Sequence, residues 1–361
     1  MLFLTETEQK DLDYLIEKGI LCYSEYVNDG DVAPKCSPDI DFVWIEVTTR
    51  CNLRCKHCYD ESSAFRSETM SLKDFKYVVN EIAGLGVRKI QIIGGEPLVL
   101  GDTLLEMLQY ATNYFESIEV FTNGTLLSDR LIYFFKLHNI KLALSVYSYN
   151  PEIHDCVTGV SGSHLLTNQW IEQLAKAGIK FRVANVLMAG VELGKKNTPY
   201  YTLNPYKDVV RMCGRGNLSL LTLKLLKRKL LTAETFSTPL NKSLFHRICH
   251  GHNCFARRLY ISAQLEVFPC VMERRLSHGS LKDAPLIDIL KDSIFRMNKD
   301  YVTTCKDCEF RYCCHDCRPD SLTNDVYAKP WYCTYNPYLG EWADIDKFIH
   351  LLEEKFAVQF N

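Results

Sequence analysis

The sequence predicts an α/β fold in which a parallel sheet, covered by helices, curls into a full or partial TIM-like barrel. The first reason is that six apolar, β-branched segments alternate with helical ones between residues 41 and 225. The second is that nine of the 16 cysteines follow residue 248, which predicts a smaller cysteine-built region after the barrel. Right-handed crossovers bring the carboxyl ends of all strands to one end of a barrel, so motifs located there should converge.

The elements follow from hydrophobic periodicity along the chain. A helix at 5–18 presents Leu12, Leu15 and Ile16 on one face, and Ser71 is a suitable N-cap for the next helix. Strands are predicted at 42–47, 89–93, 118–122, 142–146, 181–188 and 218–223. Further helices are predicted at 71–83, 102–114, 129–138, 167–177 and 205–212.

We expect the chain to divide into five parts. They are a lead-in (1–40), a barrel (41–225), a bridging region (226–248), a cysteine-rich domain (249–340) and a C-terminal helix (341–361). The basic stretch at 224–229 has apolar residues between its charges. It predicts a solvated helix face that bridges the two larger domains, with a substrate-docking patch as the alternative.

Composition indicates a globular protein without a nucleic-acid or membrane partner. Of the 361 residues, 47% are hydrophobic and 24% are charged, and the formal net charge is −2. A nearly neutral chain lacks the basic surface that attracts nucleic acids or anionic membranes. No apolar run reaches the ~18 residues of a membrane span. We therefore expect a cytoplasmic protein, in which clustered cysteines are more often metal ligands than disulfides.

Three cysteines form a compact motif directly after the first strand. Cys51, Cys55 and Cys58 have the spacing C-x3-C-x2-C. A structural zinc site usually has four ligands, and no fourth is evident nearby unless His57 serves. Three thiolates suit a [4Fe–4S] cluster in which one iron stays open for an exogenous ligand.

This motif, placed after the first strand of a β/α barrel, resembles the radical S-adenosylmethionine (SAM) superfamily. The resemblance implies a partial (β/α)6 barrel and a SAM molecule chelated by the open iron. The family's GGEP motif, which contacts the methionine amino group, is similar to the residues that end the second strand: Gly94, Gly95, Glu96 and Pro97. A carboxylate suits an ammonium group, and glycines let backbone approach a ligand closely.

The resemblance implies further SAM contacts at the ends of the later strands. Thr122 and Asn123 would line the SAM pocket, and Ser145 would contact the SAM carboxylate or ribose. The backbone of Leu187 would contact the adenine. The stretch after Ser145 lacks the family's Asp-Gly pair and arginine, which makes Arg182 on the fifth strand a candidate carboxylate anchor. His154 and Asp155 resemble part of that family element but equally suit a local capping pair before the next helix.

The C-terminal cysteines resemble the SPASM extension, which carries two auxiliary [4Fe–4S] clusters in many radical SAM enzymes. The resemblance implies ligands for the first auxiliary cluster at Cys249, Cys254, Cys270 and Cys317. For the second it implies Cys305, Cys308, Cys313 and Cys333. Cys314 is the alternative to Cys313, and zinc knuckles are the alternative to two clusters. A departure is Leu265, which stands where the family usually has glycine.

The remaining cysteines are isolated, and we expect them to be small buried hydrophobic residues: Cys22, Cys36, Cys156 and Cys213. The ligand count of the first auxiliary cluster also stays open. Without Cys249, that cluster would have an open iron able to hold a substrate thiolate, which would favour thioether formation.

In function, the resemblance implies reductive cleavage of SAM to a 5′-deoxyadenosyl radical, which abstracts hydrogen from a substrate. SPASM proteins characteristically modify ribosomally made peptides, so a thioether, carbon–carbon or carbon–oxygen crosslink or a related oxidative modification is expected. The alternatives are a sulfatase-type maturase that makes formylglycine, a cofactor-precursor enzyme and a non-enzymatic zinc module. The formylglycine maturases carry an aspartate where this chain has Val271.

The expected partners are a precursor peptide, an electron donor such as flavodoxin or ferredoxin, and a separate peptide-recognition protein. The last is expected because only about forty residues precede the barrel, fewer than the ~80 to 90 of a complete recognition domain. No catalytic base is assigned, although Glu273 and His278 lie close to Cys270 in sequence.

Overall fold

The computed structural model of the chain describes residues 6–17, 40–237, 242–252, 254–291 and 293–360. Helix α1 (Glu6–Glu17) lies in a first compact unit at the N-terminus, which confirms the helix predicted at 5–18. All other described elements belong to a second unit. Cys22 and Cys36 lie outside the described residues.

An eight-stranded, mostly parallel sheet forms the body of the second unit and confirms the predicted fold class. Its parallel strands are β1 (Phe42–Glu46), β2 (Lys89–Ile93), β3 (Ser117–Thr122), β4 (Lys141–Ser145), β5 (Phe181–Ala184) and β6 (Arg258–Ile261). Two antiparallel strands follow, β7 (Glu266–Phe268) and β8 (Gly279–Ser280). The spatial order is β5-β4-β3-β2-β1-β6-β7-β8.

Helices alternate with the first five strands. They are α2 (Leu72–Gly84), α3 (Asp102–Ala111), α4 (Asp129–Leu137), α5 (Pro151–Thr158) and α6 (Ser163–Lys176). Side-chain caps explain where two of them begin. Ser71 Oγ accepts from the Asp74 N–H at 3.1 Å, and Asn150 Oδ1 accepts from the Glu152 N–H at 2.8 Å. Four of these helices were predicted, and α5 is an addition.

The C-terminal part contains short elements between its cysteines. They are α7 (Leu223–Lys229), α8 (Lys242–His250), α9 (Leu286–Ile289), α10 (Ile345–Phe356) and a ribbon of β9 (Tyr335–Asn336) and β10 (Glu341–Trp342). Because β6 pairs with β1, with Ile261 beside Ile45, this part shares the sheet of the barrel. None of the described helices is long and apolar enough to cross a membrane.

The sixth parallel strand is not at 218–223, where the apolar run predicted it. Leu218–Leu220 form a 3₁₀ turn, which begins at Asn217. Leu218 and Leu221 are buried in a hydrophobic cluster that lies apart from the main core. The apolar run therefore reports burial, which alone does not distinguish a strand from other buried backbone. Strand β6 takes the sixth place instead, at the opposite edge of the parallel strands.

The helix predicted at 205–212 is also wrong. Asn204 Oδ1 accepts from the Tyr206 N–H at 2.8 Å, which closes a turn at the start of this segment. Val209 then pairs with Leu187 in an isolated parallel bridge. The segment is thus extended, and it follows the chain that leaves β5.

The basic stretch at 224–229 contacts three parts of the chain from helix α7. Lys229 forms an ion pair with Asp320, and its Nζ also donates to the Val210 carbonyl oxygen at 2.8 Å. Lys227 Nζ lies 3.0 Å from Asp346 Oδ1 of α10. A bridging helix is therefore observed, but the side chain of Lys229 is only 9% exposed and is not solvated as predicted.

The turn after β2 packs directly against the loop after β1. The Gly95 N–H donates to the Thr48 carbonyl oxygen at 2.7 Å, and the Glu96 N–H donates to the Arg50 carbonyl oxygen at 2.9 Å. A Cβ atom on Gly95 would lie 2.4 Å from that Arg50 oxygen, closer than real contacts allow. Only glycine therefore permits this approach of the two backbones.

We predict that Gly95→Ala destabilises the protein by about 1–3 kcal/mol, because the added methyl group forces the two backbones apart. Thermal or denaturant unfolding of the purified protein measures the change. The matched control is Gly84→Ala, since a Cβ there would meet no atom within 4 Å. Equal stability of the two variants would show that the contact between the turn and the loop is dispensable.

Candidate active site

A cavity of about 460 Å³ opens at the carboxyl ends of the parallel strands. Most of the residues predicted to bind a cofactor line it: Cys51, Cys55, Cys58, Gly94, Gly95, Thr122, Asn123, Ser145 and Arg182. Two apolar side chains, Leu53 and Phe121, contribute to its wall. The convergence expected of a barrel is therefore observed, with contributions from the ends of β1 to β5.

The cysteine loop is fastened by backbone hydrogen bonds on two sides. The Arg54 N–H donates to the Thr158 carbonyl oxygen at 2.9 Å, at the end of α5. On the other side, Arg215 Nε donates to the Cys55 carbonyl oxygen at 2.8 Å, and Arg215 Nη2 donates to the Ser62 carbonyl oxygen at 3.0 Å. The positions of the three thiols therefore depend on segments far away in sequence.

The three thiols fit a metal cluster better than free thiolates. Burial is the main cause that raises the pKa values of Cys51 and Cys55 to about 12. Neighbouring thiols add to this rise, Cys55 and Cys58 for Cys51 and Cys58 for Cys55. Uncomplexed, these groups would stay protonated at neutral pH. Positive iron centres would supply the charge that ionises them, as metal ions do for coordinating thiols. The donor set of three sulfurs on one loop thus suits an iron–sulfur cluster with one open iron.

Glu96 lies behind the cavity wall and is fully buried. Its carboxylate accepts from Thr122 Oγ1 and the Asn123 N–H, both at 2.7 Å, and from the Leu98 N–H at 3.0 Å. Burial raises its pKa to about 7, while these three hydrogen bonds lower it. Glu96 therefore joins the ends of β2 and β3. Of the Gly-Gly-Glu-Pro residues, Gly94 and Gly95 are the ones that line the cavity.

Arg182 lines the cavity but already has a carboxylate partner. Its Nε and Nη2 atoms donate to the two carboxylate oxygens of Glu119, at 3.0 and 2.9 Å. Gln91 also binds Glu119, and Trp44 Nε1 donates to Gln91 Oε1 at 2.8 Å. These side chains form a polar chain across the interior face of the sheet, so a second carboxylate would have to compete for Arg182.

Leu187 is buried next to the cavity, and its backbone is engaged elsewhere. Its N–H donates to the Asp208 carbonyl oxygen at 2.9 Å, and its carbonyl oxygen accepts from the Val210 N–H at 3.0 Å. The residues that directly follow β5 and line the cavity are Asn185 and Val186. An adenine contact at this strand end would therefore come from these two residues.

Two arginines and a cysteine on the loop after β5 line the cavity, and sequence reasoning missed their role: Arg211, Cys213 and Arg215. Burial raises the pKa of the Cys213 thiol to about 12, but the residue is only partly buried and faces the cavity, unlike the fully buried cysteine expected. Arg211 Nη1 donates to Cys317 Sγ at 3.3 Å. The available signal was the density of basic residues around an isolated cysteine after the fifth strand.

His154 and Asp155 act as a local structural pair. Asp155 accepts from the Gly162 N–H, from Ser163 Oγ at 2.8 Å and from the His164 N–H at 2.8 Å, which caps the beginning of α6. The capping alternative is therefore confirmed for Asp155, whereas His154 Nδ1 accepts from the Tyr147 N–H at 3.3 Å and takes no part in the cap. Cys156, expected to be buried, is exposed.

The first C-terminal set contains Cys254, Cys270 and Cys317. Cys254 and Cys270 pack against the same small hydrophobic cluster. Burial raises the pKa values of Cys270 and Cys317, with further raising contributions from Cys254 on Cys270 and from Cys270 on Cys317. Cys249, predicted to join this set, instead has Asp300 and Cys313 as the charged neighbours that raise its pKa after burial.

The predicted second C-terminal set left Cys313 and Cys314 as alternatives, and spacing favoured Cys313. Burial, with smaller contributions from Cys333, Cys305 and Cys308, raises the pKa of Cys314 to about 11. For Cys313, burial is the cause of its raised pKa. The thiols that act on Cys314 are thus the other three members of the predicted second set, which supports Cys314 as a candidate ligand beside Cys313. Spacing alone could not separate two adjacent cysteines.

The residues near Cys270 do not offer an evident base. Glu273 is fully buried, and both of its carboxylate oxygens are bound by Arg275, at 2.8 and 2.6 Å. His278 is buried and stacks on Phe295 with ring centroids 4.5 Å apart. Val271 lines the cavity.

Residues 45–197 match the radical SAM superfamily. The antilisterial bacteriocin subtilosin biosynthesis protein AlbA of Bacillus subtilis is 37% identical over 141 residues, which are 38% of this chain and 31% of that protein. The AdoMet-dependent heme synthase of Oleidesulfovibrio alaskensis is 24% identical over 385 residues, with 91% of this chain and 96% of that protein covered.

Solved structures show the same fold over most of the chain. The crystal structure of Streptococcus suis SuiB bound to S-adenosylmethionine has a TM-score of 0.63 at 14% identity and covers 91% of this chain and 88% of that chain. Native anSMEcpe with bound AdoMet has a TM-score of 0.59 at 15% identity and covers 88% of this chain and 99% of that chain. Residues 45–197, which include the cysteine loop after β1, are therefore a radical SAM domain, and the two solved structures share the fold of most of the chain.

Proposed function

We propose that this enzyme is a maturase that abstracts hydrogen from a ribosomally made peptide. The product would be a thioether, carbon–carbon or carbon–oxygen crosslink or a related oxidative modification. The observation that carries the proposal is that Cys51, Cys55 and Cys58 share one cavity with the ends of the next four strands. SAM and a [4Fe–4S] cluster bound there supply a 5′-deoxyadenosyl radical by reductive cleavage.

The chain's own groups would hold these cofactors as follows. The three thiols would bind the cluster, and the exposed backbone at Gly94 and Gly95 would face the SAM amino group. Leu53 and Phe121 would exclude water from the reacting atoms, since both are apolar parts of the cavity wall. Flavodoxin or ferredoxin would supply the electron.

A peptide substrate is supported by two relatives. The structure of SuiB bound to precursor peptide SuiA covers 88% of this chain with a TM-score of 0.57. AlbA, which matches part of the chain, is a bacteriocin biosynthesis protein. We include a separate peptide-recognition protein in the proposal as a partner.

A cofactor-precursor reaction is the second candidate, because heme synthases match nearly end to end. Their matches cover 91% of this chain and 96% of the Oleidesulfovibrio alaskensis protein. Formylglycine formation is less well supported, since Val271 lines the cavity where those maturases carry an aspartate.

We further propose three [4Fe–4S] clusters. The second auxiliary cluster would be held by Cys305, Cys308, Cys314 and Cys333. The first would be held by Cys254, Cys270 and Cys317, with one iron open because Cys249 has Cys313 as its neighbouring thiol. An open iron would be able to bind a substrate thiolate, which favours a thioether product.

Cys55→Ala is expected to abolish 5′-deoxyadenosine formation from SAM and dithionite, and to remove about four of about twelve iron atoms, because one cluster loses a ligand. Anaerobic reconstitution, iron analysis and chromatography measure both. Cys156→Ala is the matched control, since this thiol is exposed. A colourless wild-type protein with zinc and no iron would contradict the proposal.

Cys314→Ala is expected to remove about four iron atoms, whereas Cys313→Ala should leave the iron content unchanged. The physical reason is that the thiols of Cys333, Cys305 and Cys308 surround Cys314. Iron analysis with electron paramagnetic resonance of the reduced protein measures the difference. Loss of iron in Cys313→Ala, with full iron content in Cys314→Ala, would identify Cys313 as the ligand instead.

Co-expression with a short peptide encoded beside the gene is expected to lower the peptide mass by two hydrogen atoms for each crosslink. Mass spectrometry measures this change, and the Cys55→Ala enzyme provides the inactive control. An unchanged peptide mass, also after reaction in deuterated solvent, would argue against this peptide as the substrate. Consumption of a tetrapyrrole precursor by the same enzyme would then favour the second candidate.

A further inference from the structure

A fully buried ionic cluster lies beside the second cysteine set. Lys299 is 3% exposed and Arg318 is 4% exposed. Both pair with Asp316: Lys299 Nζ lies 2.8 Å from Asp316 Oδ1, and the Arg318 guanidinium contacts Asp316 Oδ2. His252 Nε2 lies 3.4 Å from the same Oδ1 atom and adds no negative charge. Two basic side chains thus share one carboxylate, and with both protonated the cluster has an excess of positive charge.

This excess is costly unless something anionic lies beside it. A buried charge without a partner costs several kcal/mol, so buried cations are normally paired and hydrogen-bonded. The Arg318 side chain also donates to the carbonyl oxygens of Val326 at 3.1 Å and Ala328 at 2.9 Å. These neutral acceptors satisfy N–H groups but leave the excess charge in place.

Two buried nitrogens in this cluster make no hydrogen bond in the part of the chain that the structure describes. They are Lys299 Nζ, whose contact with Asp316 is ionic but off hydrogen-bond geometry, and Arg318 Nε. Buried donors in folded proteins almost always have an acceptor. Unsatisfied donors on two neighbouring cations therefore point to an anionic group that both of them face.

The thiols of the second set are the anionic candidates next to these cations. The Val302 N–H donates to the Lys299 carbonyl oxygen at 3.1 Å, and the Val302 carbonyl oxygen accepts from the Lys306 N–H at 3.0 Å. These two bonds join the turn of Lys299 to the turn that begins at Cys305. The sulfur atoms of a bound cluster would bring negative charge to this place and accept hydrogen bonds from these donors.

We propose that Lys299, supported by Arg318, is a positioning residue that holds positive charge against the cluster of the second cysteine set and raises its reduction potential. The inference rests on the proposed [4Fe–4S] cluster at that set. One-electron reduction of a [4Fe–4S] core from 2+ to 1+ adds one negative charge, and a fixed cation stabilises that form. The second cluster is thereby suited to accept an electron that the substrate radical loses.

The first cysteine set provides an internal reference. Its cation is Arg211, whose Nη1 lies 3.3 Å from Cys317 Sγ and which lines the cavity. Charge at the cavity wall is screened by solvent more strongly than charge in the interior. A change at Lys299 should therefore shift the potential of the second cluster and leave that of the first unchanged.

The test is a redox titration of the reconstituted holoenzyme, without peptide, followed by electron paramagnetic resonance. Lys299→Met is expected to shift the potential of the second cluster to a more negative value, and Lys299→Arg to restore it. Asp316→Asn removes the opposing carboxylate and should shift the potential in the positive direction. The first auxiliary cluster should titrate at the same potential in both Lys299 variants.

An unchanged potential in both Lys299→Met and Asp316→Asn, with full iron content, would overturn the inference. Should Lys299→Met fail to hold iron, Lys299→Arg and Asp316→Asn still decide the sign of the effect. Wild-type protein that holds only the iron of the SAM cluster and the first auxiliary cluster would instead overturn the proposed second auxiliary cluster. That outcome is distinguishable, because iron analysis detects it before any potential is measured.

Discussion

The backbone contact between the turn after β2 and the loop after β1 is the constraint on which the rest of the site depends. Gly95 N–H reaches the Thr48 carbonyl oxygen at 2.7 Å, and Glu96 N–H reaches that of Arg50 at 2.9 Å. This contact places the three-cysteine loop over the cavity rather than in solvent. The buried carboxylate of Glu96 extends the same arrangement to Thr122 and Asn123. Three strand ends are therefore held at one geometry by a few hydrogen bonds in a dry environment, where each is strong.

Periodicity was a good guide to those elements whose burial pattern is local. Strand β2 follows from its apolar, β-branched run, and helix α2 follows from helical spacing and the Ser71 cap. The same reasoning failed for 218–223, because an apolar run reports burial in any tertiary setting. It also could not find β6, since this strand pairs with β1 across more than 200 residues of sequence. Long-range pairing leaves no mark in a local window.

Site prediction was most specific where chemistry requires a residue type at a fixed spacing, and the structure brings the cysteine loop and the glycines of the next turn to one cavity. It was weaker where the function of a side chain depends on its partners. Arg182 is a plausible anion anchor by sequence, but Glu119 already pairs with it through two hydrogen bonds. Cys313 and Cys314 are equivalent by spacing, and only the folded chain shows which of them faces Cys333. Arg211 and Arg215 carried no motif and were found only through the cavity.

The loop that carries these two arginines links the proposed radical site to the auxiliary cysteines. Arg215 binds the carbonyl oxygen of Cys55 in the first cysteine loop, and Arg211 binds the thiol of Cys317 in the C-terminal region. Both side chains also line the cavity. A substrate in the cavity would thus contact a segment attached to both cysteine regions, so displacement of this loop would move the ligands of two clusters together. Under the proposed function, the geometry of hydrogen abstraction and that of electron removal would be coupled through about five residues of backbone.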